Sequence, residues 1–83
     1  IDLAQCLKQF ITMGFQRVDM VASPGQFSLR GGIIDIYPLT EEMPLRIELF
    51  DTEVDSIRYF DVETQRSKSQ VKKVQIGPAR EVL

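Results

Sequence analysis

The sequence predicts an α+β fold, an N-terminal amphipathic helix packed on a mostly antiparallel, twisted β-sheet. Two observations carry that prediction. Apolar and polar residues separate completely at helical spacing over residues 2–13, and from residue 17 onward the period becomes alternating, broken by turn residues. With 83 residues the chain is expected to form a single domain, 1–83, that buries only about 60 to 65 per cent of its unfolded surface.

The helix comes first. Leu3, Ala4, Cys6, Leu7, Phe10, Ile11 and Met13 share about half of its circumference, and Gln5, Lys8, Gln9 and Thr12 fill the rest. Asp2 is placed to cap the first amides with Gln5 reaching back, and Gly14 supplies a left-handed stop. Such a stripe is expected to cover a sheet. Residues 17–22 then alternate, with Val18, Met20 and Ala22 on one parity and Arg17, Asp19 and Val21 on the other, the pattern of a half-buried strand. Ser23-Pro24-Gly25-Gln26 has the signature of a type II turn, from which a hairpin is expected.

Phe27 and Leu29 point one way, Ser28 and Arg30 the other. Gly31-Gly32 interrupts this strand, and because Ile34 and Ile36 then carry the inward parity, a bulge is expected there. After the connection from Pro38 to Pro44, Leu45, Ile47 and Leu49 alternate strictly with Arg46, Glu48 and Phe50. The turn Asp51-Thr52-Glu53 leads to another β-rich run, residues 54–60, whose apolar members keep no single parity. Residues 61–70 are polar and expected to form a loop, and Val74 and Ile76 suggest a last short strand closed by Gly77-Pro78.

Composition removes several classes of function. The net charge of −2 is the wrong sign for a dedicated nucleic-acid binder, and no apolar run approaches the roughly 18 residues that span a bilayer. Cys6 has no partner for an internal disulfide and the chain has no histidine, so neither a Cys/His zinc set nor a histidine-activated serine can form. A reducing cytoplasm fits, with Cys6 as a small buried side chain. Asp51, Glu53 and Asp55 open like a calcium loop, but Ser56 and Val62 stand where it needs glycine and glutamate, so no metal site is expected. Starting at Ile1 without a methionine, the chain is expected to be a piece of a longer protein. No catalytic residue and no cofactor are assigned.

What remains is a docking module. If Leu45, Ile47 and Leu49 pack under the helix, Arg46 and Phe50 emerge on the other face together with Arg30. Arginine and aromatic side chains concentrate binding energy at interfaces. The competing reading has Phe50 curl over the sheet edge and the arginines pair internally with Glu48 or Asp35. A second alternative uses Arg58, Arg66, Lys68, Lys72 and Lys73 as an accessory nucleic-acid contact, and a third is a spacer without partners.

The strings Gly14-Phe15-Gln16-Arg17-Val18-Asp19, Pro24 through Pro38 with Leu29-Arg30-Gly31-Gly32-Ile33-Ile34-Asp35 at its centre, Arg46-Ile47-Glu48-Leu49-Phe50-Asp51, and Asp55-Ser56-Ile57-Arg58 closely resemble the UvrB-homology region of bacterial transcription-repair coupling factors, the Mfd family. The related domain of UvrB is the alternative, but an acidic residue near Gly32 is expected there, and a different turn where this chain reads Glu63-Thr64-Gln65-Arg66-Ser67. The resemblance implies a domain that binds UvrA and, in the parent, recruits it to a stalled RNA polymerase, while an ATP-dependent motor elsewhere works on double-stranded DNA. It implies UvrA contacts at Arg30, Arg46 and Phe50; Glu48, on the same parity as Arg46, is expected to orient it. The isolated domain is expected to be monomeric, to touch no membrane and to hydrolyse nothing.

Overall fold

Asp2 begins the chain's only helix among the described residues, and its carboxylate accepts the Gln5 amide at 3.2 Å. The computed structural model describes residues 2–72 and Gly77. Helix α1 spans Leu3–Thr12 and ends as its sequence predicts, with Gly14 at φ 96°. The Gly14 amide donates to the Ile11 carbonyl and the Phe15 amide to the Phe10 carbonyl, the paired bonds of a left-handed glycine stop. The same reversal sets the Phe15 ring edge-on to Phe10, which in turn meets Phe27. Leu3, Cys6, Leu7, Phe10 and Met13 join the core, whereas Ile11 is 53% exposed and Ala4 is exposed, so the buried stripe is narrower than the sequence suggests. Burial pushes the Cys6 thiol pKa up, consistent with a packing role.

Six strands follow: β1 (Gln16–Arg17), β2 (Gln26–Arg30), β3 (Ile33–Ile36), β4 (Leu45–Phe50), β5 (Glu53–Phe60) and β6 (Ser67–Gln70). They form one sheet in sequence order, antiparallel throughout except for β1 beside β2. The fold is therefore α+β, a helix on a mostly antiparallel sheet.

Four local expectations are corrected. Gly25 takes the third turn position with φ 86°, as a type II turn requires, yet β1 runs parallel to β2, so no hairpin forms there. The strand stops at Arg17. Residues 18–25 are a crossing connection in which Val21 is fully buried and Met20 is 54% exposed, the reverse of the alternation. Gly31-Gly32 is a two-residue reversal between β2 and β3, not a bulge: Arg30 pairs with Ile33 and Leu29 with Ile34, which inverts the parity. Gly31 adopts φ 58° and Gly32 does not, the arrangement of a turn with glycine at its first central position.

The true bulge lies in β5, where Glu48 pairs with Ser56 but Leu49 pairs with Val54, leaving Asp55 unmatched. That is why Val54 and Ile57 break parity. Residues 67–70 pair with β5 as β6 instead of looping; every one is exposed, so no apolar alternation announces the strand. The strand expected around Val74 and Ile76 lies outside the described residues.

Register sorts the two faces. On the helix side lie Phe27, Ile36, Leu45 and Tyr59 in one row and Leu29, Ile34, Ile47 and Ile57 in the next. On the far side lie Ser28, Asp35, Arg46 and Arg58, then Arg30, Ile33, Glu48 and Ser56. The far side is not bare. Val21 and Phe60 are fully buried yet stand outside the helix-side cluster, and Asp35 and Ser28 are buried with them. The connection 37–44 is tied down at the opposite end from the Gly31 turn by Tyr37 Oη donating to the Glu42 carbonyl and Tyr59 Oη to Glu41.

Candidate partner-binding site

Arg30, Arg46, Glu48 and Phe50 do share the far face, but they fall into two groups with different physics. Two reversals, Gly31-Gly32 and Asp51-Thr52, close the same end of the sheet. At that end Arg30 stands opposite Ile33, Ile33 opposite Glu48, and Phe50 ends the strand two residues beyond. Phe50 is 73% exposed. The Arg30 side chain has no hydrogen bond or ion pair among the described residues. An open groove of about 550 Å³ runs beside it, walled by Arg17, Val18, Asp19, Met20, Leu29 and Arg30 itself.

Arg46 sits deeper, in the middle of the sheet. Its Nε donates to Asp35 Oδ1 at 2.9 Å, its Nη2 to Asp35 Oδ2 at 3.1 Å and its Nη1 to the Gln65 carbonyl at 2.8 Å. The guanidinium also lies 4.5 Å from the centre of the Phe60 ring. Only 11% of the side chain is exposed. The hydrogen bond to Asp35 raises the Arg46 pKa above its ordinary value against the opposing effect of burial, with the Asp35 and Glu48 charges adding to it. The expectation that Arg46 emerges free beside Arg30 and Phe50 is corrected: internal pairing with Asp35 prevails, because a buried carboxylate without a counterion is costly. Asp35, not Glu48, orients it.

Gln65 is the residue the sequence reading missed. It holds φ 60°, and its Nε2 donates to the Val62 carbonyl at 2.8 Å and to the Val21 carbonyl at 3.3 Å. Nothing in a polar loop marks such a bridge. Asp35 did carry a signal, an acid within Ile33-Ile34-Asp35-Ile36, where only a paired charge is tolerated.

The basic residues considered for nucleic acid do not form a committed stripe. Lys68 is drawn to Asp61 at 3.7 Å, and Lys73 lies outside the described residues. No group of three or more metal-ligating side chains gathers among the described residues, and no helix there is long and apolar enough to cross a membrane.

Comparison with known proteins points to an interaction domain. The family model described as the UvrB interaction domain matches residues 1–82. The chain is 55% identical over 83 residues to the transcription-repair-coupling factor of Bacillus subtilis (strain 168). It is 58% identical to that of Staphylococcus aureus (strain USA300) and 57% to that of strain MRSA252. Each match covers 100% of this chain and 7% of the relative.

Proposed function

The chain belongs to the UvrB interaction domain family, and from that membership we propose that it is the UvrA-docking module of a transcription-repair coupling factor. It is a repair-related interaction domain; the identity of UvrA as its partner, and the recruitment of UvrA by the parent to a stalled RNA polymerase, are what we propose. The parent's ATP-driven movement on double-stranded DNA belongs to the same proposal and needs none of the residues in this chain, which acts as a cytoplasmic monomeric unit within a longer protein.

The observation that supports the reading most directly is the exposure of Phe50 at the same end of the far face as Arg30, which has no polar partner among the described residues. A large ring left in water has no folding role, whereas seated in an apolar hollow of a partner it becomes an anchor. Arg30 then forks onto a partner carboxylate at the rim, and Glu48 faces a basic group. Arg46 enters differently.

The test is affinity for purified UvrA. Phe50→Ala and Arg30→Ala are each expected to weaken binding roughly thirtyfold, about 2 kcal/mol, with unchanged circular dichroism. Wild-type affinity in both folded variants discards this surface as the docking site.

A further inference from the structure

We infer that Arg46 is a positioning residue, acting through Gln65 and the connection 18–25 to hold the wall beside Arg30 without itself gripping the partner. The inference rests on the far face being the UvrA-docking surface.

Three observations lead there. First, the guanidinium is already engaged: Nε and Nη2 on Asp35, Nη1 on the Gln65 carbonyl, and its plane on Phe60. To fork onto a partner carboxylate it must release Asp35, which is 1% exposed and has no other counterion among the described residues. Uncovering a buried charge costs more than a partly exposed new pair returns.

Second, Arg46 begins a relay of hydrogen bonds. It bonds the Gln65 carbonyl, Gln65 Nε2 bonds the Val21 carbonyl, and Val21 is fully buried in the middle of the connection between β1 and β2. Within that connection the Ala22 and Ser23 amides both donate to Gln26 Oε1, so its return limb is fixed to β2 independently. The outgoing limb is held at its start by the Val18 amide donating to the Phe27 carbonyl at 2.8 Å and at its far end by Gln65 on Val21, so Asp19 and Met20 are spanned between those two points. Three segments far apart in sequence are thus joined at one arginine.

Third, that outgoing limb is the wall of the groove in which Arg30 lies. Val18, Asp19 and Met20 line it together with Leu29 and Arg30. Arg30 has no polar partner within the described residues, so packing against this wall is what limits its directions. Loosening the wall releases rotamers that must be frozen again on binding, which lowers affinity even though the interface itself is unchanged.

A double-mutant cycle on Arg46→Met and Gln65→Gly separates positioning from direct binding. Glycine accepts the left-handed backbone at 65, keeps its carbonyl for Arg46, and removes the bridge to Val21 together with the local bond to the Val62 carbonyl within the same turn. Each single variant is expected to weaken UvrA binding, Arg46→Met about tenfold, and the double variant to be no worse than Arg46→Met alone. Amide exchange of the free domain is expected to quicken at residues 18–21 in both. Wild-type affinity in Gln65→Gly, or losses that multiply in the double variant, overturns the inference and makes Arg46 a direct partner ligand. If Arg46→Met does not fold, Gln65→Gly decides alone, because it keeps the Asp35 pair. If instead Phe50→Ala and Arg30→Ala both bind UvrA like wild type, the docking surface is wrong. Exchange in the free domain then still rules: unchanged protection at 18–21 in folded Gln65→Gly ends the relay.

Discussion

Asp35 and Arg46 face each other directly across β3 and β4, and both carboxylate oxygens accept from the one guanidinium, at 2.9 and 3.1 Å. With Asp35 1% exposed, this pair is the electrostatic centre of the far face. Removing one member strands the other. Asp35→Ala is expected to cost about 3 kcal/mol, read as a lower urea midpoint at unchanged slope. Asp35→Leu with Arg46→Met removes both charges and is expected to recover most of that loss, since apolar replacement of a whole buried pair is often neutral. A double variant as unstable as the single one contradicts the pair's role.

The end of α1 makes a second prediction. Gly14 at φ 96° donates to Ile11, and Phe15 donates to Phe10 while their rings meet 6.0 Å apart. A side chain at 14 forces either a strained backbone or a displaced Phe15. Gly14→Ala is expected to destabilise by about 1 to 2 kcal/mol, and melting should fall by roughly 4 to 8 °C per kcal/mol for a domain of this size. Gly14→Asn, which tolerates the left-handed region better, should fall between the two.

What could be read in the sequence was whatever a single element decides for itself. The cap at Asp2, the stop at Gly14, the helix-side parity of Leu45 and Ile47 and the far-side parity of Arg46 and Phe50 all follow from local spacing, and the structure keeps them. Missed were features that another segment decides. β1 pairs parallel because residues 18–25 cross and bury Val21, whose carbonyl accepts from Gln65, 44 residues away in sequence. β6 has no apolar pattern, since as an exposed edge its pairing rests on backbone bonds. Arg46 had the right face but the wrong freedom, because Asp35 is its neighbour only once β3 and β4 are in register.

Acid should remove a stabilising contribution at the turn after β5. Asp61 accepts the Glu63 and Thr64 amides at 2.8 and 3.1 Å, and those two bonds, with Lys68 nearby, hold its pKa below the ordinary carboxylate value. A depressed folded pKa means that the contribution is fully present above the unfolded value near pH 4 and is lost as pH falls through the lower, folded value. The stability difference between wild type and Asp61→Ala is therefore expected to be constant from pH 5 to 7 and to shrink below about pH 4. A difference that grows in acid refutes the assignment.

Two phenylalanines on the same face should respond oppositely. Phe60 is fully buried under the Arg46 guanidinium, so Phe60→Ala combines a cavity with removal of the cation–π interaction and is expected to cost about 3 kcal/mol or more. Phe50, 73% exposed, leaves almost nothing behind when truncated, and Phe50→Ala is expected to stay within about 0.5 kcal/mol of wild type. Binding should separate them in the other sense. Phe50→Ala keeps its fold and loses UvrA affinity, and Phe60→Ala loses affinity only in proportion to the fraction unfolded, recovering it under conditions such as added osmolyte that restore the fold. Paired urea denaturation and UvrA titrations check this: a Phe50→Ala variant as destabilised as Phe60→Ala shows that the exposed ring supports the fold, and its place at a docking surface is then withdrawn.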